Sequence, residues 1–271
     1  MPEGDTIYRM ATTLQRWLAG RRVTSARTTA PIPVSVLVGD TVVNVEPRAK
    51  HLLIRFESGR ILHTHMRMTG SWHVYSSGER WRRAPSQARL VLETGERLAV
   101  CFSAPVIELL VPGGERLHPV LGALGPDVLV EPLDVAEVRE RVARQPGSVE
   151  IGDVLLDQRV ASGIGNIYRC EALFVEGIHP RRTVGELGTD AVVQAVQRAA
   201  SLMKAHLGSG TPPTGRGGQA RSGVGAGSLG RRRVYDRAGR PCSRCGMPIR
   251  SGPVGSQART AYWCPRCQPS P

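Results

Sequence analysis

CSRCGMPIRSGPVGSQARTAYWCPRC, residues 242–267, holds two Cys-x2-Cys pairs, Cys242/Cys245 and Cys264/Cys267, with 18 residues between them. Each pair can form a tight knuckle that brings two sulfurs to about 2.3 Å from one tetrahedral ion. The spacing predicts a zinc ribbon over 240–268 with one structural zinc, because four thiolates leave no open position for catalysis. A pair of disulfides is the alternative, and a reducing compartment disfavours it. Cys101 and Cys170 stand apart in sequence and read as buried free thiols.

Moving outward from the ribbon, residues 208–230 carry nine glycines and no acid. So few apolar groups cannot pack alone, and the stretch reads as a loop, either a linker or a ligand-gripping flap. Before it, helical periodicity covers 134–144, 149–158, 166–176 and 190–206. The turn Ser162–Asn166, SGIGN, lies between the second and third of these. Backbone N–H groups at such a helix start can seat a phosphate, although the same sequence also serves as an ordinary interhelical turn.

From Arg22 to Leu110 the period changes to two. VVNVEPRAK (42–50), HLLIRFE (51–57), ILHTHM (61–66), SWHVY (71–75), ARLVLET (88–94) and RLAVCF (97–102) read as strands, with hairpins at Ser58-Gly59 and Thr94-Gly95. Strands in series without helices between them predict an antiparallel sandwich or barrel. His63 and His65 would share a strand face as metal ligands do; with no third ligand near them in sequence, packing or hydrogen bonding is the preferred reading. The chain opens on a helix: Ile7, Met10, Ala11, Leu14 and Leu18 recur at helical spacing, with Asp5 placed to cap it and Gly20 to end it. The fold class is α+β, divided into 1–128 and 129–271.

Net charge is +13, which points to a nucleic-acid partner. Nearly all of the excess lies after Ala191, where 13 basic residues face one acid, Asp236. Only two of the basic residues in the whole chain are lysines, Lys50 and Lys204. Arginine's planar fork suits phosphate oxygens. No run of 18 apolar residues occurs, which excludes a membrane-spanning helix. The polar start MPEGD has no secretory character, so cytoplasm, including the nucleoid of a bacterium, is the expected location.

Four motifs in order, PEG at 2–4, RAK at 48–50, LLDQ…GIGNIY…GIHP across 155–180, and RTAYWCPRCQ at 259–268, resemble the formamidopyrimidine-DNA glycosylase and endonuclease VIII family. The resemblance spans the whole chain. It implies an N-terminal helix with a β-sandwich, then a helix-two-turn-helix domain carrying the ribbon. It also implies a bifunctional DNA glycosylase/AP lyase acting on damaged DNA, as a monomer, with no catalytic metal and no small-molecule cofactor. Met followed by Pro is normally processed, which would leave the Pro2 amine as the nucleophile. An α-amine titrates near pH 8, about two and a half units below lysine, so a useful fraction is uncharged at neutral pH. Carried over residue by residue, Glu3 is the general acid/base. Lys50 contacts phosphate and sugar beside the lesion, and Asn166 and Arg259 clamp phosphates. Met68 is the wedge that fills the gap left by the extruded nucleotide, with Arg67 beside it; read without the resemblance, Met68 is a core residue.

The oxidised-purine branch usually carries an Arg-Arg-Phe triplet where this chain has CFSAPVIELL, residues 101–110. PEG, the FSA…IELL run and YWCP look like the endonuclease VIII branch, which removes oxidised pyrimidines. An oxidised-purine enzyme and a catalytically silent damage binder are the alternatives. Thr6 stands where many relatives have Glu, which leaves the elimination network open.

Overall fold

The computed structural model describes residues 2–208 and 232–271. The expected glycine-rich loop, 208–230, lies outside them except for its first residue. The chain forms two compact units, Met1–Ala123 and Leu124–Pro271.

The first unit opens on α1 (Gly4–Leu18), whose buried stripe of Ile7, Ala11, Leu14 and Leu18 is the one that the spacing predicts. Eight strands follow: β1 (Ser25–Thr28), β2 (Val42–Arg48), β3 (His51–Phe56), β4 (Ile61–His65), β5 (Ser71–Ser76), β6 (Ala88–Thr94), β7 (Arg97–Phe102) and β8 (Val106–Leu110). They make two four-stranded antiparallel sheets, ordered β1-β6-β7-β5 and β2-β3-β4-β8. The stripe of α1 joins Leu52, Ile54 and Leu62 of one sheet and Leu90, Leu92 and Cys101 of the other in a single core. A short α2 (Gly114–Leu117) ends the unit. The unit is thus a helix plus an antiparallel sandwich, as expected.

The second unit holds α3 (Val135–Ala143), α4 (Ile151–Val154), α5 (Asn166–Glu176) and α6 (Val184–Gly208), then the ribbon hairpin β9 (Arg250–Val254) and β10 (Arg259–Trp263). The helix expected over 149–158 is a single turn; after it Asp157 accepts the N–H of Arg159, which starts a local turn. Helix α6 starts earlier than its periodicity suggests and breaks at Gly188. One apolar core packs α3, α5 and α6. A second, built from Cys170 and Phe174 of α5 with Val234, Ile249, Val254 and Ala261, docks the ribbon onto α5. No helix among the described residues is long and apolar enough to cross a membrane.

Candidate functional site

Helix α1 begins at Gly4, so its N-cap is Glu3 rather than the expected Asp5. The Glu3 carbonyl accepts the N–H groups of Thr6 and Ile7 at 3.0 and 3.1 Å. Asp5 falls in the first turn, where its charge still suits the positive end of the helix dipole. Both carboxyl groups are 0% exposed. Fully buried acids are rare because desolvating the charge is expensive, and they concentrate at functional sites. Pro2, half-buried, precedes this pair directly. Pro2 thus stands next in sequence to a water-excluded carboxyl at a helix start.

Lys50 sits in the two-residue turn joining β2 to β3, where Arg48 pairs with His51. Its neighbour Ala49 holds φ 56, a left-handed conformation uncommon for a residue with a Cβ. Helix α1 is tied to the same hairpin: the Val45 N–H donates to Gln15 Oε1 at 2.6 Å. The second lysine, Lys204, pairs with Glu131.

The wedge candidate stands on a tight loop, Met66–Gly70. The Gly70 N–H donates to the Met66 carbonyl at 2.9 Å, and a Cβ at position 70 would come within 2.8 Å of Met66 backbone atoms. Only glycine fits there. Met66 is buried, Arg67 takes φ 44 and is exposed, and Met68 is 65% exposed. The core reading of Met68 is therefore wrong: the loop turns it outward and Met66 fills the core instead.

Arg83, which the sequence does not single out, braces this loop. Its guanidinium donates to the Thr69 carbonyl (3.1 Å), Ser71 Oγ (3.0 Å), Ser103 Oγ (3.3 Å) and Gln87 Oε1 (3.0 Å). It also lies over the Phe102 ring at 5.7 Å. Thr69 Oγ1 donates to the Ser103 carbonyl at 3.1 Å. One half-buried cation thus ties the Met68 loop to the Phe102–Ala104 segment.

His63 and His65 do not act as a pair. His63 bonds to His51 and to Glu108, and Glu108 also receives His118. Hydrogen bonding is indeed the role of His63. The further partners come from β8 and from the segment after α2, too distant in sequence for spacing to reveal.

In the second unit, Gln158 of the LLDQ motif explains the GIGN turn. Its Oε1 accepts the Gly163 N–H at 3.0 Å, and its amide donates to the carbonyls of Leu156 and Ile164 at 2.8 and 3.1 Å. Gly163 needs glycine, with φ 105. The turn delivers Asn166 as the first residue of α5. Asn166 Nδ2 donates to the Thr260 carbonyl of β10 at 2.8 Å, which uses one of its two amide hydrogens. Arg169, fully buried, donates to Asn166 Oδ1 at 2.5 Å and to the carbonyls of Thr260 and Arg259 at 3.1 and 3.4 Å. Asn166 and Arg259, 93 positions apart in the numbering, are therefore joined through one cation. The Arg259 side chain is exposed, held by Gln257 at 3.0 Å, and lines an open groove of about 990 Å³ with Asp153, Asp157, Arg159 and Arg181. Glu171 accepts the backbone N–H groups of Arg233, Val234 and Tyr235 at 2.9–3.0 Å, which anchors the chain where it enters the ribbon.

The four ribbon cysteines converge, with all sulfurs within 4.8 Å of one another. Cys245 and Cys264 lie 3.4 Å apart, and Cys242 and Cys267 4.0 Å apart. A tetrahedral ion with bonds of about 2.3 Å requires sulfur separations of about 3.8 Å, so the donor set fits zinc. Knuckle N–H groups of Arg244 and Cys267 point at Cys242 and Cys264 sulfurs, 3.4 and 3.5 Å away. Cys101 and Cys170 are buried free thiols, with burial pushing Cys170 up to about 11.

An N-terminal helix with an antiparallel sandwich, followed by a helical unit with a four-cysteine ribbon, is an Fpg-like architecture. Residues 1–105 match the model of the formamidopyrimidine-DNA glycosylase N-terminal domain, and residues 124–214 that of its H2TH domain. The chain is 39% identical to a probable endonuclease 8 2 of Streptomyces coelicolor, covering all of this chain and 95% of that protein. It is 35% identical to the DNA-(apurinic or apyrimidinic site) lyase Nei2 of Mycolicibacterium smegmatis, over 99% of each. Its structure is similar to Lactococcus lactis Fpg bound to N7-benzyl-Fapy-dG DNA, with TM-score 0.81 and 22% identity over 99% of this chain and 100% of that one. The chain belongs to the formamidopyrimidine-DNA glycosylase/endonuclease VIII family. It is a DNA-repair enzyme, a DNA glycosylase and AP lyase of the endonuclease VIII type.

Proposed function

We propose that this enzyme removes oxidised pyrimidines and cleaves the strand by β,δ-elimination, with the amine of processed Pro2 as nucleophile. The reading is carried by one observation: Pro2 directly precedes a carboxyl, Glu3, that is wholly withdrawn from water at a helix start. The Pro2 nitrogen attacks C1′ of the damaged nucleotide, and the base leaves with a proton from Glu3. The sugar ring then opens, the C1′–O4′ bond breaking as O4′ takes a proton, and a secondary amine can leave C1′ only as a cationic iminium. That cation acidifies the C2′ hydrogen; its removal expels the 3′-phosphate, a second elimination expels the 5′-phosphate, and hydrolysis frees Pro2.

Lys50, Asn166 and Arg259 hold backbone phosphates around the lesion. Exposed Met68 fills the vacated stack, with Arg67 beside it. Zinc held by Cys242, Cys245, Cys264 and Cys267 shapes the hairpin that carries Arg259 and has no part in the chemistry. Neither a catalytic metal nor a small-molecule cofactor enters the scheme. The enzyme acts as a monomer in the cytoplasm and nucleoid, with domains 1–128 and 129–271, the latter carrying the loop 208–230 and the ribbon 240–268.

The pyrimidine preference rests on the FSA…IELL run, where Ser103-Ala104-Pro105 offers no bulky side chain in place of the purine branch's triplet. Parallel cleavage of thymine glycol and 8-oxoguanine duplexes tests it. Thymine glycol should be cut faster, and faster cutting of 8-oxoguanine would reverse the branch.

Arg259→Ala is expected to weaken binding to DNA of any sequence and to lower the slope of log K against log salt by about one phosphate contact. A salt titration by fluorescence anisotropy measures both quantities, and an unchanged slope removes Arg259 from the interface.

A further inference from the structure

The sheet β2-β3-β4-β8 carries a row of imidazoles beside the Lys50 turn. His63 pairs across the ladder with Glu108, and His51 with His65. Residues directly opposite share a face, as do residues two apart. His51, His63, His65 and Glu108 therefore stand on one face, while Leu52 and Ile107 enter the sandwich core from the other.

The hydrogen bonds of this row, together with its burial, assign the protons of His118, His63 and His51. His118 Nδ1 accepts the backbone N–H groups of Val120 and Leu121 at 3.2 and 3.1 Å. That nitrogen is bare, so the ring proton of His118 is on Nε2, 3.0 Å from Glu108 Oε2. The same oxygen lies 2.7 Å from His63 Nδ1. Burial alone would raise the Glu108 carboxyl, but the bonds from His63 and His118 bring it below its ordinary value. It is an anion, which only accepts, so His63 Nδ1 carries a proton. Burial pushes the His63 imidazole down, so the ring is neutral and its Nε2 is bare. That Nε2 lies 2.8 Å from His51 Nδ1, which must be the donor. Burial, then the neighbouring His65, holds His51 down to about 2, leaving its Nε2 unprotonated.

Ligand atoms of His63, Glu108 and His118 also lie within 4.8 Å of one another, close enough to share an ion. A metal on His118 Nε2 would need an imidazolate, because the Nδ1 lone pair is already engaged by two peptide N–H groups. The donor set fits a hydrogen-bonded chain instead.

We propose that Glu108, His63 and His51 form a positioning relay which fixes His51 as its neutral Nδ1–H tautomer and pins the Arg48–His51 turn that presents Lys50. The logic is that of a carboxylate orienting an imidazole, used here twice in series across three adjacent strands. Its functional consequence rests on the lyase reading, in which Lys50 meets the phosphate and sugar beside the lesion. Keeping His51 and His63 neutral leaves Lys50 without a competing imidazolium. Anchoring His51 keeps the strained Ala49 turn from relaxing.

The test uses full-length, zinc-loaded protein. Long-range 1H–15N correlation spectra of the imidazoles should report Nδ1–H at His51 and His63 and Nε2–H at His118. In Glu108→Ala, His63 and His51 should shift toward Nε2–H, and single-turnover cleavage of abasic DNA should slow about tenfold with little change in DNA affinity. Glu108→Gln, which keeps an acceptor oxygen, should restore the native tautomers and most of the rate. If Glu108→Ala does not fold, His51→Asn against His51→Leu replaces it: the asparagine amide stands in for Nδ1–H and should retain the rate that leucine loses. An Nε2–H tautomer at His51 or His63 in the wild type overturns the relay. So does native cleavage by a variant whose tautomers have shifted. A wild type that never cleaves abasic DNA would instead refute the lyase reading, and the tautomers would still decide the relay.

Discussion

Protein that retains Met1, or that carries Pro2→Gly, should lose borohydride-trapped adduct on abasic DNA by at least about a hundredfold, the range expected when an activated nucleophile is removed. A retained Met1 turns the proline nitrogen into an amide, whose lone pair is delocalised into the carbonyl and cannot attack. Glycine keeps a terminal amine, but a primary one, which gives a neutral imine in equilibrium with its protonated form. The proline adduct has no proton to lose and stays cationic until hydrolysis, so C2′ remains acidic throughout the elimination. Mass spectrometry of the reduced wild-type conjugate should map the bond to Pro2. Undiminished capture by the blocked protein would mean another amine, with Lys50 the first to examine. A wild type that binds abasic DNA and is never captured would be a damage-binding protein that has lost turnover.

Features written in local pattern are legible in the sequence. The stripe of α1, six of the eight sandwich strands and the two cysteine pairs are each set by a repeat or a fixed spacing, and each lies where the pattern puts it. Strand β1, Ser-Ala-Arg-Thr, has no large apolar residue and forms through its ladder with β6, so nothing local announces it. The cap of α1 is displaced by two residues because Glu3, not Asp5, is the last non-helical residue, and a carboxylate two positions further on serves the dipole equally well.

What the sequence withheld is the set of residues that hold other residues. Arg83 and Arg169 are two arginines among 34, and neither sits in a recognisable spacing. Their importance lies in having acceptors from several distant segments, which only the fold assembles. Glu108 is hidden for the same reason: an acid in an apolar strand reads as a solvated edge until His63 and His118 arrive beside it. The exposure of Met68 has no local signal, because it depends on the glycine-locked loop around it.

That dependence of Asn166 and Arg259 on distant supports makes zinc removal the second large effect. Chelation, or Cys264→Ser, should unfold the ribbon and weaken DNA binding by at least about a hundredfold, while the melting of the sandwich core is unchanged. The ribbon's own core is small: Ile249, Val254 and Ala261, with Val234 and the side chains of α5 beneath them. A structural zinc contributes roughly 10–16 kcal/mol in such peptides, far more than this apolar cluster supplies. Losing the hairpin removes Arg259 directly. It also withdraws the Thr260 carbonyl, which holds the Asn166 amide at 2.8 Å, and two of the acceptors of buried Arg169. An unsatisfied guanidinium cannot remain in that interior, so Arg169 must move and release Asn166 Oδ1 with it. Both phosphate contacts of the second unit should therefore fail together, and the salt slope should fall by more than it does in Arg259→Ala. Calorimetry and anisotropy on the same zinc-free sample read the two halves of the prediction. Full DNA affinity in metal-free protein would show that the ribbon neither carries nor supports the contacts assigned to it.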